Sequence, residues 1–137
     1  MAVGYTLLRD LLNKDRGVSL MGIIAHEFGH IVQFFEQGVH DDLSKGESTV
    51  RLIELHADFL AGFYAGRRKA SRRHLDADGL GDSFVAIGDY HAKHQKHHGT
   101  PQERLKALTE GFKLGKRNQE TTIEEAVEKG VRAVRRI

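Results

Sequence analysis

The sequence predicts a mainly α-helical single domain spanning residues 1–137, built from about six helices. Three observations carry this. Apolar residues recur three and four apart over long windows, two segments satisfy the capping-box rule, and no stretch reads convincingly as a strand, a repeat or a low-complexity linker.

Tyr5, Leu8, Leu11 and Leu12 recur at helical spacing until the residues from Asn13 to Gly17 break the pattern, giving a short amphipathic first helix. Ser19 is the candidate cap of a second helix. Its apolar positions, Leu20, Ile23, Ile24, Phe28, Ile31, Val32, Phe34 and Phe35, form a stripe so broad that most of the helix is expected to be buried, as the core helix. Gly38 is expected to end it, and residues 39–47 are polar enough to read as a loop.

Ser48 or Thr49 then opens a third helix, carrying Val50, Leu52, Ile53, Leu55, Phe59, Leu60, Phe63 and Tyr64. It ends in the basic run Arg67, Arg68, Lys69, Arg72 and Arg73, which suits the negative end of a helix dipole. The turn with Asp76, Asp78, Gly79 and Gly81 superficially resembles a calcium loop. Its glycine comes too early and the closing glutamate is missing, so it reads as a plain turn. A fourth helix with Phe84, Val85, Ile87 and Tyr90 runs into the cluster His91, His94, His97 and His98. Thr100-Pro101-Gln102-Glu103 and Thr122-Ile123-Glu124-Glu125 each place a hydroxyl at the N-cap and a glutamate three residues on. They open a fifth helix, with Leu105, Leu108, Phe112 and Leu114 inward, and a sixth, with Ile123, Val127, Val131 and Val134 inward.

Composition narrows the function. At 137 residues and 39% apolar content the chain can bury a core without disulfides and is not disordered. The absence of cysteine excludes thiolate zinc sites and cysteine nucleophiles, and fits a reducing compartment. A net charge of +2 with interleaved signs gives no nucleic-acid footprint; the one-signed C-terminal turn of Arg132, Arg135 and Arg136 reads as the dipole-complementing end of a helix. The longest uncharged apolar run, from Leu20 to Ala25, is far short of the ~20 residues that cross a bilayer. No export signal shows in the first 30 residues, which places a complete chain in the cytoplasm and leaves a chain trimmed at its N-terminus unassigned.

The chemistry lies in His26-Glu27-Phe28-Gly29-His30, an H-E-x-x-H pattern in the middle of the most apolar helix. Residues four apart lie one above the other, so His26 and His30 can present two imidazoles to one tetrahedral Zn2+ ion. Glu27 is near enough to hold a water on that metal, take its proton and pass it to a leaving amine. Burying these three groups among Ile, Leu and Phe is costly unless a dication compensates them.

A catalytic zinc needs a third protein ligand and one open position. The metzincin extension would require glycine at 33 and histidine at 36, where the chain has Gln33 and Glu36. The next candidate is Glu54-Leu55-His56-Ala57-Asp58. Glu54 and Asp58 share a helical face, whereas His56 points about 200° away from Glu54. Glu54 is therefore the favoured ligand and His56 the alternative. Asp58, one turn on, is placed to accept the N–H of a zinc histidine.

Ile23-Ile24-Ala25-His26-Glu27-Phe28-Gly29-His30-Ile31-Val32-Gln33 and Glu54-Leu55-His56-Ala57-Asp58-Phe59-Leu60-Ala61-Gly62 resemble a bacterial family of neutral zinc metallopeptidases. The likeness continues through Ile87-Gly88-Asp89, His98-Gly99-Thr100 with Glu103-Arg104, and Gly111-Phe112, covering about residues 5–115. The Glu-x-x-Ala-Asp element is also similar to that of the broader glutamate-zincin peptidases, including heat-shock-type membrane peptidases whose membrane helices this chain lacks.

The resemblance implies a zincin-like fold, a peptide or protein substrate, His26, His30 and Glu54 as metal ligands and Glu27 as base. The chain departs from the family at His56, often glutamine there, at Phe59, often cysteine, and at Ile31, often histidine. The family also has an extended segment before the helix matching residues 5–13. In zinc peptidases an edge strand near the active-site helix holds the substrate backbone. The expectation is thus a domain whose usual N-terminal sheet is absent or truncated.

His98 lies in the part resembling the family's His-Gly-Ser/Thr element, where an imidazole can stabilise the oxyanion formed on attack at a carbonyl. Arg104 is a candidate for the same task or for pairing with an acid. The pair His91 and His94 has the spacing that binds divalent ions adventitiously. The function expected is hydrolysis of peptide bonds by zinc-activated water; the alternative is a zincin-derived binding or scaffold module whose metal is structural.

Overall fold

The computed structural model describes residues 9, 10, 13, 17–71 and 98–137. Among these the chain is mainly helical, with five helices and no strand: α1 (Val18–Phe35), α2 (Val39–Ser44), α3 (Arg51–Ser71), α4 (Pro101–Arg117) and α5 (Ile123–Val134). Six had been expected. The expected first helix apart from Arg9, Asp10 and Asn13, which are helical, the expected fourth helix, the turn over 76–81 and the cluster of His91, His94 and His97 lie outside the described residues.

α3 is the centre of the fold. It packs most extensively on α4, then on α1 and α5, and every residue from Leu55 to Phe63 is buried. Its apolar side chains meet Leu43 of α2, Ala107 of α4 and Ala126, Val127 and Val134 of α5 in one continuous core. This corrects the expectation that the helix bearing His26 is the core helix. α1 buries one face only, and Phe28, Phe34 and Phe35 on the other are 61%, 72% and 81% exposed. A stripe wider than one face says how apolar a helix is, not how many neighbours it has. Leu105 and Ile123, expected to face inward, also lie largely exposed.

The α3–α4 crossing is made by four glycines. A Cβ on Gly62 would lie 2.0 Å from the Leu108 carbonyl oxygen, and one on Gly66 2.2 Å from that of Phe112. Reciprocally, a Cβ on Gly111 would lie 1.9 Å from the Phe59 oxygen, and one on Gly115 2.1 Å from that of Phe63. Two helix backbones can come this close only where neither carries a side chain at the crossing. Cα–H···O contacts then replace side-chain packing.

Helix ends follow the local chemistry with three exceptions. Thr100 caps α4 as a full capping box, accepting from Glu103 N at 3.2 Å while its own N–H donates to Glu103 Oε2 at 2.8 Å, with Pro101 at the first helical position. At α5 only the hydroxyl half of the box is present, from Glu125 N to Thr122 Oγ1, and the Glu125 carboxylate lies 3.9 Å from Lys129 instead. Ser19 does not cap α1. Gly17, in the left-handed region at φ 84°, precedes it without a side-chain cap. Residues 39–44, read as loop, form α2, because Gly38 at φ 81° turns the chain directly into a new helix whose Leu43 anchors in the core. No helix among the described residues is long and apolar enough to cross a membrane.

Candidate metal centre

The centre forms where α1 crosses α3. Gly29, between the two histidines of the H-E-x-x-H pattern, lies against Ala57, between Glu54 and Asp58. A Cβ on Gly29 would sit 2.9 Å from the Ala57 Cα. The two positions without large side chains thus let the helices approach closely enough for the polar residues beside them to meet.

His26 Nε2 and His30 Nε2 are 3.1 Å apart, Glu54 Oε2 is 3.4 Å from His26 Nε2, and Glu54 Oε1 is 3.6 Å from His30 Nε2. Their donor atoms group within 4.8 Å of one another, the spread of a metal-binding set. The finer test is the tetrahedron. Ligand bonds of about 2.0–2.2 Å put tetrahedral donors about 3.3–3.6 Å apart. The two nitrogens lie slightly inside that spacing and each faces a different oxygen of the Glu54 carboxylate at close to it, so the three groups could hold a small divalent cation. His56, the alternative third ligand, is turned the other way and has no exposed surface.

Each histidine is held from behind. His26 Nδ1–H donates to Asp58 Oδ1 at 2.8 Å, and Asp58, itself wholly buried, also accepts from Arg104 Nε at 2.7 Å and Nη2 at 2.9 Å. His30 Nδ1–H donates to Gln33 Oε1 at 3.0 Å. The Gln33 amide nitrogen donates to the Ile53 carbonyl at 2.8 Å and to His56 Nδ1 at 3.0 Å, and His56 Nε2–H donates to the Val127 carbonyl of α5 at 3.1 Å. With each Nδ1 engaged on the far side, both Nε2 atoms face the same point as the Glu54 carboxylate.

The electrostatics of the metal-free site match this. Burial alone lowers the His26 pKa, but its hydrogen bonds and proximity to Asp58 and Glu54 outweigh that and carry it up to about 9. Burial alone raises Glu54; His26, His30 and Arg104 around it bring it down to about 2. His56, with burial dominant and only the Val127 carbonyl to favour its charged form, falls to about 4 and is neutral. A cluster that draws a proton onto His26 this strongly is one that favours a cation between the rings and the carboxylate.

The other expected site residues also gather here. His98 Nδ1 is 3.6 Å from Glu54 Oε1, brought there by Gly99 at φ 87° just before α4. Arg104 Nη2 is 3.9 Å from Glu54 Oε2, so the structure pairs this residue with acids. Glu27 lies on α1 at the edge of a pocket of about 340 Å³ that it lines with His30, Ile24, Phe28, Ile31 and Phe34. Gln33 had no role in the sequence reading beyond ruling out one ligand pattern. Its signal was a lone amide, three residues after His30, on an otherwise apolar helix face. Compared with known protein families, with curated proteins and with solved structures, the chain gives no match.

Proposed function

We propose that the protein is a zinc-dependent metallopeptidase that hydrolyses peptide bonds with Glu27 as general base. The observation that carries this reading is the set of three donor groups, His26 Nε2, His30 Nε2 and the Glu54 carboxylate, converging on one point with each imidazole held from behind at Nδ1. Two imidazole nitrogens and one carboxylate oxygen suit zinc, and three protein ligands leave a coordination position open. A divalent ion held there supplies a Lewis acid for the scissile carbonyl and lowers the pKa of water toward neutrality.

The chain's own residues do the rest. Glu27 removes the proton from water as its oxygen bonds to the carbonyl carbon, then delivers that proton to the amine nitrogen as the C–N bond breaks. His98, beside Glu54, donates an N–H to the oxygen on which negative charge develops. The pocket shared by Glu27 and His30 has apolar walls, so the substrate offers an apolar side chain next to the bond that is cut.

A mixed peptide library incubated with zinc-loaded protein and read by mass spectrometry tests this beside Glu27→Gln. Cleavage should occur with the wild type and fall by at least about a hundredfold in the variant while zinc stays bound. Zinc bound stoichiometrically with no cleavage by either protein would replace the peptidase with a metal-dependent scaffold.

A further inference from the structure

Gln33 and His56 are deeply buried polar side chains that the hydrolytic mechanism leaves unused; Gln33 is 1% exposed and His56 0%. Burying an amide and an imidazole is costly unless every polar atom finds a partner. Here each does, and only one proton arrangement allows it. The Ile53 carbonyl can only accept, so the Gln33 group 2.8 Å from it is the amide nitrogen, and Gln33 Oε1 must face His30 Nδ1. The Val127 carbonyl can only accept, so His56 carries its proton on Nε2 and receives the second amide proton of Gln33 on Nδ1. Donation runs one way, from the ligand His30 through Gln33 on α1 and His56 on α3 to the Val127 carbonyl of α5.

We propose that Gln33 and His56 are positioning residues for His30, a buried relay that holds the ring with Nδ1 protonated and Nε2 turned to the metal and ties that choice to the backbone of α5. The proposal rests on the metal-site reading above. It assigns to His30 the support that Asp58 and Arg104 give His26, but with a neutral amide in place of a carboxylate, and with its anchor 71 residues along the chain from His56. Gly130 makes room for it: a Cβ there would lie 2.9 Å from both Cδ2 and Nε2 of His56, so α5 can bring the Val127 carbonyl to the ring only with glycine at that position.

The test measures metal binding, not turnover. Co2+ is titrated into the full chain against a competing chelator, with the d–d absorption recorded for wild type, His56→Leu, His56→Gln and Leu43→Ala. His56→Leu removes both polar atoms of the relay. His56→Gln keeps an acceptor toward Gln33 and a donor toward Val127. Leu43→Ala opens a cavity in the same core at a residue that takes no part in the relay's hydrogen bonds. Removing such outer support costs about 10- to 100-fold in metal affinity.

His56→Leu should lose that much and change its Co2+ spectrum, His56→Gln should recover most of it, and Leu43→Ala should stay within about threefold of wild type. A folded His56→Leu with wild-type affinity and spectrum would overturn the relay, as would a loss in Leu43→Ala as large as in His56→Leu, which would make the effect one of stability alone. Should His56→Leu not fold, the wild type decides. In Cd2+-loaded, 15N-labelled protein the relay requires His30 to ligate through Nε2 with Nδ1 protonated and His56 to be the Nε2–H tautomer. Ligation through Nδ1, or the opposite His56 tautomer, would overturn it. Failure of the wild type to bind Co2+ or Cd2+ at all would instead remove the metal site itself.

Discussion

Asp58 carries no exposed surface and serves two cationic or proton-donating neighbours at once, the Arg104 guanidinium and His26 Nδ1–H. Replacing Arg104 by Met would leave that carboxylate buried without its strongest partner. Breaking a buried pair from one side costs about 3–5 kcal/mol, so Arg104→Met should show a loss of this size in urea denaturation, larger than that of Arg51→Met on the more exposed pair with Glu103. The metal-free centre also makes stability depend on pH in a stated direction. His26 titrates at about 9 when folded against 6.5 unfolded, so its contribution is complete below 6.5 and is lost as pH rises through 9. His56 does the reverse. Neutral in the fold with a pKa of about 4, it costs stability as pH falls from 6.5 toward 4, and Glu54 adds a loss between 4.5 and about 2. Stability of the metal-free protein should therefore peak near pH 6.5, and a bound divalent ion, by displacing the proton from His26, should abolish the decline on the alkaline side. Denaturation midpoints from pH 5 to 9 with and without zinc check both limbs; a metal-free curve still rising above pH 7 would contradict the His26 assignment.

Helix packing here is decided by residues that have no side chain. Gly62 and Gly66 repeat at the same spacing as Gly111 and Gly115, and each pair meets the other helix's carbonyls. A Gly62→Ala or Gly111→Ala substitution raises helix propensity by about 1 kcal/mol yet drives a methyl into a backbone oxygen that no rotamer change can move. Overpacking of this kind costs about 1–3 kcal/mol and sometimes more, so after the propensity gain both variants should be net destabilised by up to about 2 kcal/mol in thermal or urea unfolding, while Gly46→Ala, with open space around it, should show only the strain of its positive φ. The same paired spacing stands in the sequence, but apolar periodicity gives glycine no weight and so does not bring it out. That periodicity does locate the helices bearing His26, Glu54 and Thr100, whose signals are local: spacing, caps and a basic end. It misplaces the core. Which helix is surrounded depends on close crossings such as Gly62 against Leu108, and these are relations between distant segments that hydrophobicity along one helix cannot contain.

At the scale of the molecule, the candidate centre draws on most of the fold. α1 contributes His26, Glu27, His30 and Gln33; α3 contributes Glu54, His56 and Asp58; α4 contributes Arg104, with His98 just before it, and α5 closes the set through Val127. His26, His30, Glu54 and Asp58 were legible in the sequence, because i, i+4 spacing and a shared helix face are periodic properties. The partner of Arg104 and the use of Gln33 were not legible, since each depends on where two helices cross. A site assembled from four helices should feel metal as a folding ligand. Binding to the native state alone stabilises by about 2.7 kcal/mol when free ligand is at a hundred times Kd, which for a domain of this size moves the thermal midpoint by about 8 °C. The chain has nine histidines, and an unfolded chain that retains weak zinc affinity reduces the shift somewhat. Scanning calorimetry with zinc and with EDTA should show an upward shift of about 5–8 °C that EDTA reverses. The decisive comparison is Glu54→Gln, which keeps the shape of the third ligand but not its charge. It should bind weakly enough to lose most of the shift, whereas Glu27→Gln, one residue past His26 but outside the ligand set, should keep it. Equal shifts in the wild type and Glu54→Gln would mean that the metal stabilises the fold from somewhere other than the crossing of α1 and α3.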